Sequence, residues 1–247
     1  MVTNLENLQI EKGTNQQRGL IVEIVGLPGA GKSTLFRTLV KNFQWMTGGF
    51  VPHFRDFSNV PFYFRNFFSI VPMLVGLQVK SDRLINRREV VNMLLLNGWH
   101  EVLMKKKENT DKVILIDQGP ISLIGYLLNW GPQNLQTSIT HGWWDKIFNH
   151  WSQNLDAIVY LDTSNATLIK RIRNRFEMDN KKVIYHVNGK SDQDANDFLV
   201  KCRDRYDQII NRLITNNHKM RVITIDSGKN SVDVIATTVI SEVESLK

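Results

Sequence analysis

The chain has 247 residues, 42% of them apolar, enough to fill the core of one large α/β domain or two small ones. Its 31 basic and 24 acidic residues leave a net charge of +7, a modest excess that suits polyanionic ligands without calling for nucleic acid. Cys202 is the single cysteine, which excludes a disulfide framework and a cysteine-based metal site and fits a reducing cytoplasm.

Residues 1–18 lack the apolar stretch of a signal peptide and read as a flexible tail before one domain over 19–247. The first expected strand is Leu20–Val25, rich in β-branched residues and without polar alternation, as in a sheet covered on both faces. A helix is expected over Lys32–Phe43. The stretch from about 46 to 85 breaks the pattern and reads as an inserted helical segment; Phe50–Phe68 alone holds seven of the twelve phenylalanines. The longest apolar run, Phe67–Val79, is short and interrupted by Pro72 and Gly76, so no membrane span is expected. Further helices are expected over Arg87–Met104, Ser138–Trp151, Asn165–Arg175, Asp192–Ile214 and Val232–Leu246. The strands between them are Val113–Ile116, Ala157–Leu161 and Arg221–Ile225. Lys105–Lys107 reads as the solvated end of a helix. The polar stretch from about 176 to 195 reads as a mobile lid. Strand–helix alternation of this kind predicts a three-layer α/β domain with a parallel sheet flanked by helices.

Gly26–Ser33, "GLPGAGKS", fits the pattern G-x-x-x-x-G-K-[ST] between a strand and a helix, the P-loop of nucleoside-triphosphate-binding domains. Glycines let the backbone turn its amides inward, and the following helix offers its positive end to the same anion. Lys32 sets a cation against the outer phosphates, and Ser33 offers a hydroxyl to Mg²⁺. Gly26, Gly29, Ala30, Gly31, Lys32, Ser33 and Thr34 are therefore the candidate phosphate-binding residues.

Asp117 ends the strand of "VILIDQGP", where an acid faces the metal directly or through water, or takes a proton from an acceptor hydroxyl. Arg171 and Arg175 are four apart and share a helical face that suits a base and a transferring phosphoryl group; Arg173 points elsewhere.

The stretches "GLPGAGKSTL", "VILIDQGP", "IVYLDTSNATLIKRIRNR", "DFLVKCRDRYDQII" and "RVITIDSGKNSVDVI" resemble, in that order, those of P-loop nucleoside-monophosphate kinases, thymidylate kinases most closely. The resemblance implies ATP as donor, Mg²⁺ as its counter-ion, Arg171 near the adenine and Arg175 near the γ-phosphate. It sets the loop Asp226–Lys229, with Ser227 and Lys229, on the adenine's other side and makes 176–195 the lid. The acceptor side departs from the family: Gln118 stands where thymidylate kinases carry an arginine, and "MTGGF" (Met46–Phe50) lacks their Arg-Glu-Pro.

Candidate acceptor residues are His53, Arg55, Asp56, Arg83 and Gln118, with Arg87 and Arg88 as a further anion clamp or plain surface. The phenylalanine-rich segment reads equally as its own aromatic core, as a dimer face or as a pocket wall. Trp144, Phe148 and Trp151 fall on one helical stripe and read as packing, and the histidines show no metal-ligand spacing. Glu23, inside a buried strand, needs a partner or a strand edge. The expected function is an ATP-dependent kinase of a small hydroxyl or phosphate acceptor, with no nucleic acid and a homodimer open. The alternative is a nucleotide-binding regulatory ATPase. Lack of an Asn/Thr-Lys-x-Asp stretch disfavours a GTPase, and Gln118 after Asp117 disfavours a mechanical ATPase.

Overall fold

The computed structural model describes residues 19–49, 51–52, 60–79, 83–136, 138–179, 187 and 189–247. Five strands alternate with helices: β1 Leu20–Gly26, α1 Lys32–Asn42, β2 Met46–Gly48, α2 Val60–Val79, α3 Arg87–Glu108, β3 Val113–Asp117, α4 Pro120–Trp130, α5 Ser138–Asn154, β4 Ala157–Asp162, α6 Asn165–Asp179, α7 Asp192–Asn216, β5 Arg221–Asp226 and α8 Val232–Glu244. The sheet order is β2-β3-β1-β4-β5, and every pairing is parallel. β1 lies at the centre, so the loop after it opens at the carboxyl edge between β3 and β4, where open α/β sheets bind their ligands.

Every residue of β1 is buried. Its alternating side chains feed two cores. Ile21 and Val25 join α2, α3, α4, α5 and part of α7, whereas Leu20, Val22 and Ile24 join α1, α6, α8 and the rest of α7. The three-layer α/β reading of the sequence holds. The stripe of Trp144, Phe148 and Trp151 is buried, and Trp151 packs on Trp99 with ring centroids 5.9 Å apart while its Nε1 donates to the Leu96 carbonyl.

Sequence patterning left out two elements. β2 is three residues long, too short for a period to register, and it is fixed by pairing to β3. α4 was left out because its opening Gly-Pro reads as a turn. Pro120 is instead the first helical residue, where its fixed φ and missing N–H cost nothing.

The lysine triplet is a correction. Only Lys105 is exposed; Lys106 Nζ donates to the Gly48 carbonyl at 3.1 Å, and buried Lys107 holds both oxygens of Asp156 at 2.7 and 2.6 Å. Asp156 also accepts from the Ile21 amide, so the end of α3 is bolted to the β1 and β4 strands rather than solvated.

The apolar run at Pro72 and Gly76 is a second correction, because α2 passes through both as one helix of 20 residues. Pro72 lies on the exposed side, where the carbonyl it leaves unbonded meets water. α2 is the helix among the described residues that is long and apolar enough, by length and composition, to cross a membrane. In this fold it buries Tyr63, Asn66, Ile70 and Leu77 against the body, and Asn97 Nδ2 of α3 donates to Asn66 Oδ1 at 2.9 Å. Its other face exposes Phe64, Phe67, Phe68, Val75 and Val79, with Phe64 and Phe68 edge to face at 4.9 Å.

Candidate active site

The P-loop forms the tight bend its sequence requires. Gly26, Gly29 and Gly31 have φ of 150, 85 and 97°. At Gly26 a Cβ would come within 2.3 Å of the Leu161 carbonyl oxygen, so β4 leaves room for backbone only. Gly31 is the N-cap of α1 and brings no capping side chain, which leaves the first amides of the helix free to face an anion.

Lys32 Nζ donates to the Leu27 carbonyl at 3.0 Å. Burial pushes its pKa down to about 8; Asp117 opposes that shift and Arg175 adds to it. Asp117, paired in register with Ile24, accepts from Ser33 Oγ at 2.7 Å through Oδ2. Its Oδ1 is buried without a hydrogen-bond partner. A hydroxyl and a carboxylate in contact, with one carboxylate oxygen unused, fit a hard divalent cation such as Mg²⁺.

Beside the loop lies a cleft of about 500 Å³ lined by Gly29, Gly31, Thr34, Arg171, Arg175 and Ser227 among others. Arg171 donates to the Gly29 carbonyl at 3.3 Å and to the Ser227 carbonyl at 3.0 Å, tying the P-loop to the loop after β5. The Ser227 amide donates to the Asp162 carbonyl at 2.7 Å, and its buried Oγ has no partner. Asn174 and Asn230 also line the cleft and were absent from the sequence expectation. Asn174 sits three residues after Arg171 on α6, so helical spacing was the signal for it. Asn230 directly follows the Asp226–Lys229 loop.

Other expected residues lie apart from this cluster. Arg173 pairs with Asp192 at 2.6 Å and donates to the Lys190 carbonyl, so it braces the start of α7. Lys229 is exposed and pairs with Asp226 at 3.2 Å. Arg83 bonds Glu89, which completes the capping box of α3 with the N-cap Asn86, and the Trp130 carbonyl. Arg88 stacks over Tyr126 with its guanidinium carbon 4.3 Å from the ring centroid. His53, Arg55 and Asp56 fall outside the described residues. Residues 176–195 include the end of α6 and the start of α7; 180–186 and 188 also fall outside the described residues.

Gln118, directly after Asp117, is exposed and has φ 61°, the only positive value for a non-glycine residue among the described residues. Glu23, whose partner the sequence did not disclose, is fully buried and accepts from the amides of Ile121 and Ser122 at 3.1 and 3.4 Å. Burial pushes its pKa up to about 8, against the pull of those amides and that of Gly119. Cys202 is buried, which pushes its thiol up to about 11, away from reactive thiolate character.

Comparison with solved structures supplies the frame for this cluster. A thymidylate kinase from Candida albicans superposes with a TM-score of 0.50 at 16% identity, covering 92% of each chain. This is the P-loop nucleotide-kinase fold. A deoxyadenosine kinase from M. mycoides, solved with bound dATP, gives a TM-score of 0.49 at 16% identity and covers 91% of this chain and 100% of its own. No family model matches the chain, and no curated protein matches it either. Gly26–Thr34 here follows the first strand, and Asp117 ends the neighbouring strand β3.

Proposed function

We propose that this protein is an ATP-dependent kinase that transfers the γ-phosphoryl group to a small nucleoside, nucleotide or other hydroxyl or phosphate acceptor. One observation carries the reading: the P-loop lysine, Lys32, feels the charges of both Asp117, which accepts from Ser33, and Arg175, which lines the cleft beside the glycine-built P-loop. A phosphate-binding switch needs the loop and the metal-facing pair, but an arginine reaching the same anion from α6 serves transfer of the terminal group.

The P-loop amides and Lys32 hold the triphosphate, releasing the Lys32 contact to Leu27. Arg171, locked between the P-loop and Ser227, lies against the base and keeps the cleft at a fixed width. Ser33 and Asp117 would hold Mg²⁺, which supplies charge neutralisation between the outer phosphates when bound. Arg175 neutralises the equatorial oxygens of the phosphoryl group as the acceptor oxygen attacks in line and the β–γ bridging bond breaks. The acceptor's proton passes to Asp117 or to water, and ADP leaves.

The decisive experiment measures ADP release from ATP and Mg²⁺, with and without panels of nucleosides, nucleotides, sugars and apolar alcohols. Stimulation by one acceptor class, with phosphorylated acceptor found by mass spectrometry, is the expected result. Hydrolysis that no acceptor stimulates would instead identify a regulatory ATPase.

The depressed pKa of Lys32 gives this site a pH signature. Below about 8 the amine is protonated and ready to pair with phosphate; above it, binding must also take up a proton. ATP affinity in excess Mg²⁺ should hold steady from pH 7 to 8, then weaken by up to about tenfold per unit. Titration calorimetry over that range reads the break. Lys32→Arg, which keeps its proton, should remove it, and a wild-type affinity that stays flat to pH 9.5 would count against the assignment.

A further inference from the structure

We infer that Glu23 is a positioning residue that sets Asp117 at the metal side of the phosphate site, by capping α4 from the neighbouring strand. The inference rests on the ATP-and-Mg²⁺ reading above and goes beyond it to the residue that shapes the site.

A carboxyl group in the middle of an apolar strand is costly unless its oxygens are bonded. Glu23 is wholly buried, and its two oxygens accept from the amides of Ile121 and Ser122. These belong to the second and third residues of α4, the donors that an N-cap side chain ordinarily takes. The N-cap residue of α4 is Gly119, which has no side chain for the task. A Cβ at Gly119 would stand 2.7 Å from Glu23 Cδ, 2.9 Å from its Oε1 and 2.7 Å from Ile116 Cγ2. Glycine is therefore required by the carboxyl group of β1, which occupies the place of a cap, together with the Ile116 side chain of β3. The cap of this helix is supplied by a residue 96 positions earlier in the chain (119 minus 23).

What the cap holds still is the turn between β3 and α4. Gln118 lies between Asp117 and Gly119 with φ 61°, a conformation that a non-glycine residue keeps only where its surroundings fix both ends. One end is Asp117, registered against Ile24 of β1; the other is the first turn of α4, bonded to Glu23 of the same strand. β1 thus clamps the turn at both sides while its own carboxyl end continues into the P-loop. With the turn fixed, Asp117 presents Oδ2 to Ser33 Oγ at 2.7 Å and keeps Oδ1 unpaired. Ser122 extends the cluster by a side-chain hydrogen bond to Tyr206 of α7, which is pushed up to about 12 by burial. Remove the Glu23 carboxyl and two amides lose their acceptor, the start of α4 loosens, and one of the two ties that hold Gln118 in its left-handed state is lost.

The test compares wild type, Glu23→Gln, Glu23→Ala, Gly119→Ser and the double variant Glu23→Ala with Gly119→Ser. ATP affinity is measured by calorimetry with and without Mg²⁺, and amide hydrogen exchange is followed at Ile121 and Ser122. Neither readout needs an acceptor. Glu23→Ala should keep its Mg²⁺-free ATP affinity and lose about tenfold or more of the tightening that Mg²⁺ brings, the size expected when a residue behind a metal ligand is removed. Exchange at the two amides should quicken about fivefold or more, as for a lost helix cap. Glu23→Gln keeps an acceptor oxygen and should behave nearly as wild type. Gly119→Ser alone should lose the Mg²⁺ effect by displacing the carboxyl. The double variant relieves the contact with Glu23 but keeps the 2.7 Å approach of Ile116 Cγ2, so its capping hydroxyl should recover part of the effect; Gly119 already has φ −80° and ψ −154°, which serine adopts. The inference is overturned if Glu23→Ala retains the full Mg²⁺ effect, or loses Mg²⁺-free affinity in equal proportion. Should Glu23→Ala fail to fold, an undiminished Mg²⁺ effect in Gly119→Ser overturns it as well. A wild type whose ATP affinity ignores Mg²⁺ defeats the phosphate-site reading and this inference together. Normal Mg²⁺ dependence in both wild type and Glu23→Ala defeats this inference alone.

Discussion

Lys32→Ala is expected to lower turnover by about 10³-fold or more, the scale of removing a preorganised charge from the transferring group, while the protein stays folded. Both halves follow from the local geometry. Among the described residues the ammonium group makes one hydrogen bond, to the Leu27 carbonyl, and its pKa is pushed down to about 8 chiefly by burial, so the protein bears a cost for keeping the charge there. A charge held at a cost by the fold, with no carboxylate bonded to it among the described residues, is there for a ligand. Alanine removes the cost along with the charge. The apolar packing of Leu27, Ala30 and Leu35 around the loop does not depend on the lysine. Thermal unfolding of Lys32→Ala should therefore match or slightly exceed wild type, with ATP affinity sharply reduced. Full kinase activity in a folded Lys32→Ala protein would refute the mechanism. A large fall in melting temperature would show Lys32 to be a structural group, since the lost rate would then report lost fold.

What could be read before the structure, and what could not, divides along physical lines. β1, β3 and β4 announce themselves because a parallel strand buried on both faces is largely apolar, and Val and Ile crowd into it; β5, an edge strand with Arg221 and Thr224 exposed, shows through its Val and Ile. The P-loop is legible because each of its residue types is forced: backbone bends of φ 85–150° demand glycine, and the anion demands a cation and a helix start. The Arg171 and Arg175 face was readable from spacing alone. Side chains whose partners lie far off in sequence were not. Lys107 reads as solvated until Asp156, from another layer of the chain, is brought to 2.6 Å of its amine. Glu23 reads as an anomaly because the helix it caps begins 97 residues later, at Pro120. α4 was hidden by its opening Gly-Pro, which reads as a turn although Pro120 is the first helical residue. Arg83 looked available for a ligand because its ion pair with Glu89 belongs to a capping arrangement that only the folded α3 start creates. Charge chemistry near a backbone motif is thus legible locally, and charge chemistry across layers is not.

Asp117→Asn should separate catalysis from binding. Turnover is expected to fall by about 10²–10³-fold, with Mg²⁺-free ATP affinity unchanged within about twofold. Asparagine has the size of aspartate and keeps one oxygen able to accept from Ser33 Oγ, so the turn and the P-loop remain in place. The lost group is the second carboxylate oxygen, the buried Oδ1 that has no protein partner, together with the negative charge. The same substitution carries a second signature. Asp117 is the group that raises the pKa of Lys32 against burial, so neutralising it should move the pH break in ATP affinity below 8. The sign follows from the charges: without the neighbouring carboxylate, the buried amine gives up its proton at lower pH, and phosphate binding begins to weaken sooner. Calorimetric titration of Asp117→Asn from pH 6.5 to 9 would read that displacement directly. An unchanged rate removes Asp117 from the catalytic set. A reduced rate with the break still at 8 would mean that Asp117 acts on the metal or the acceptor without governing the lysine, and that the two charges of this site work independently.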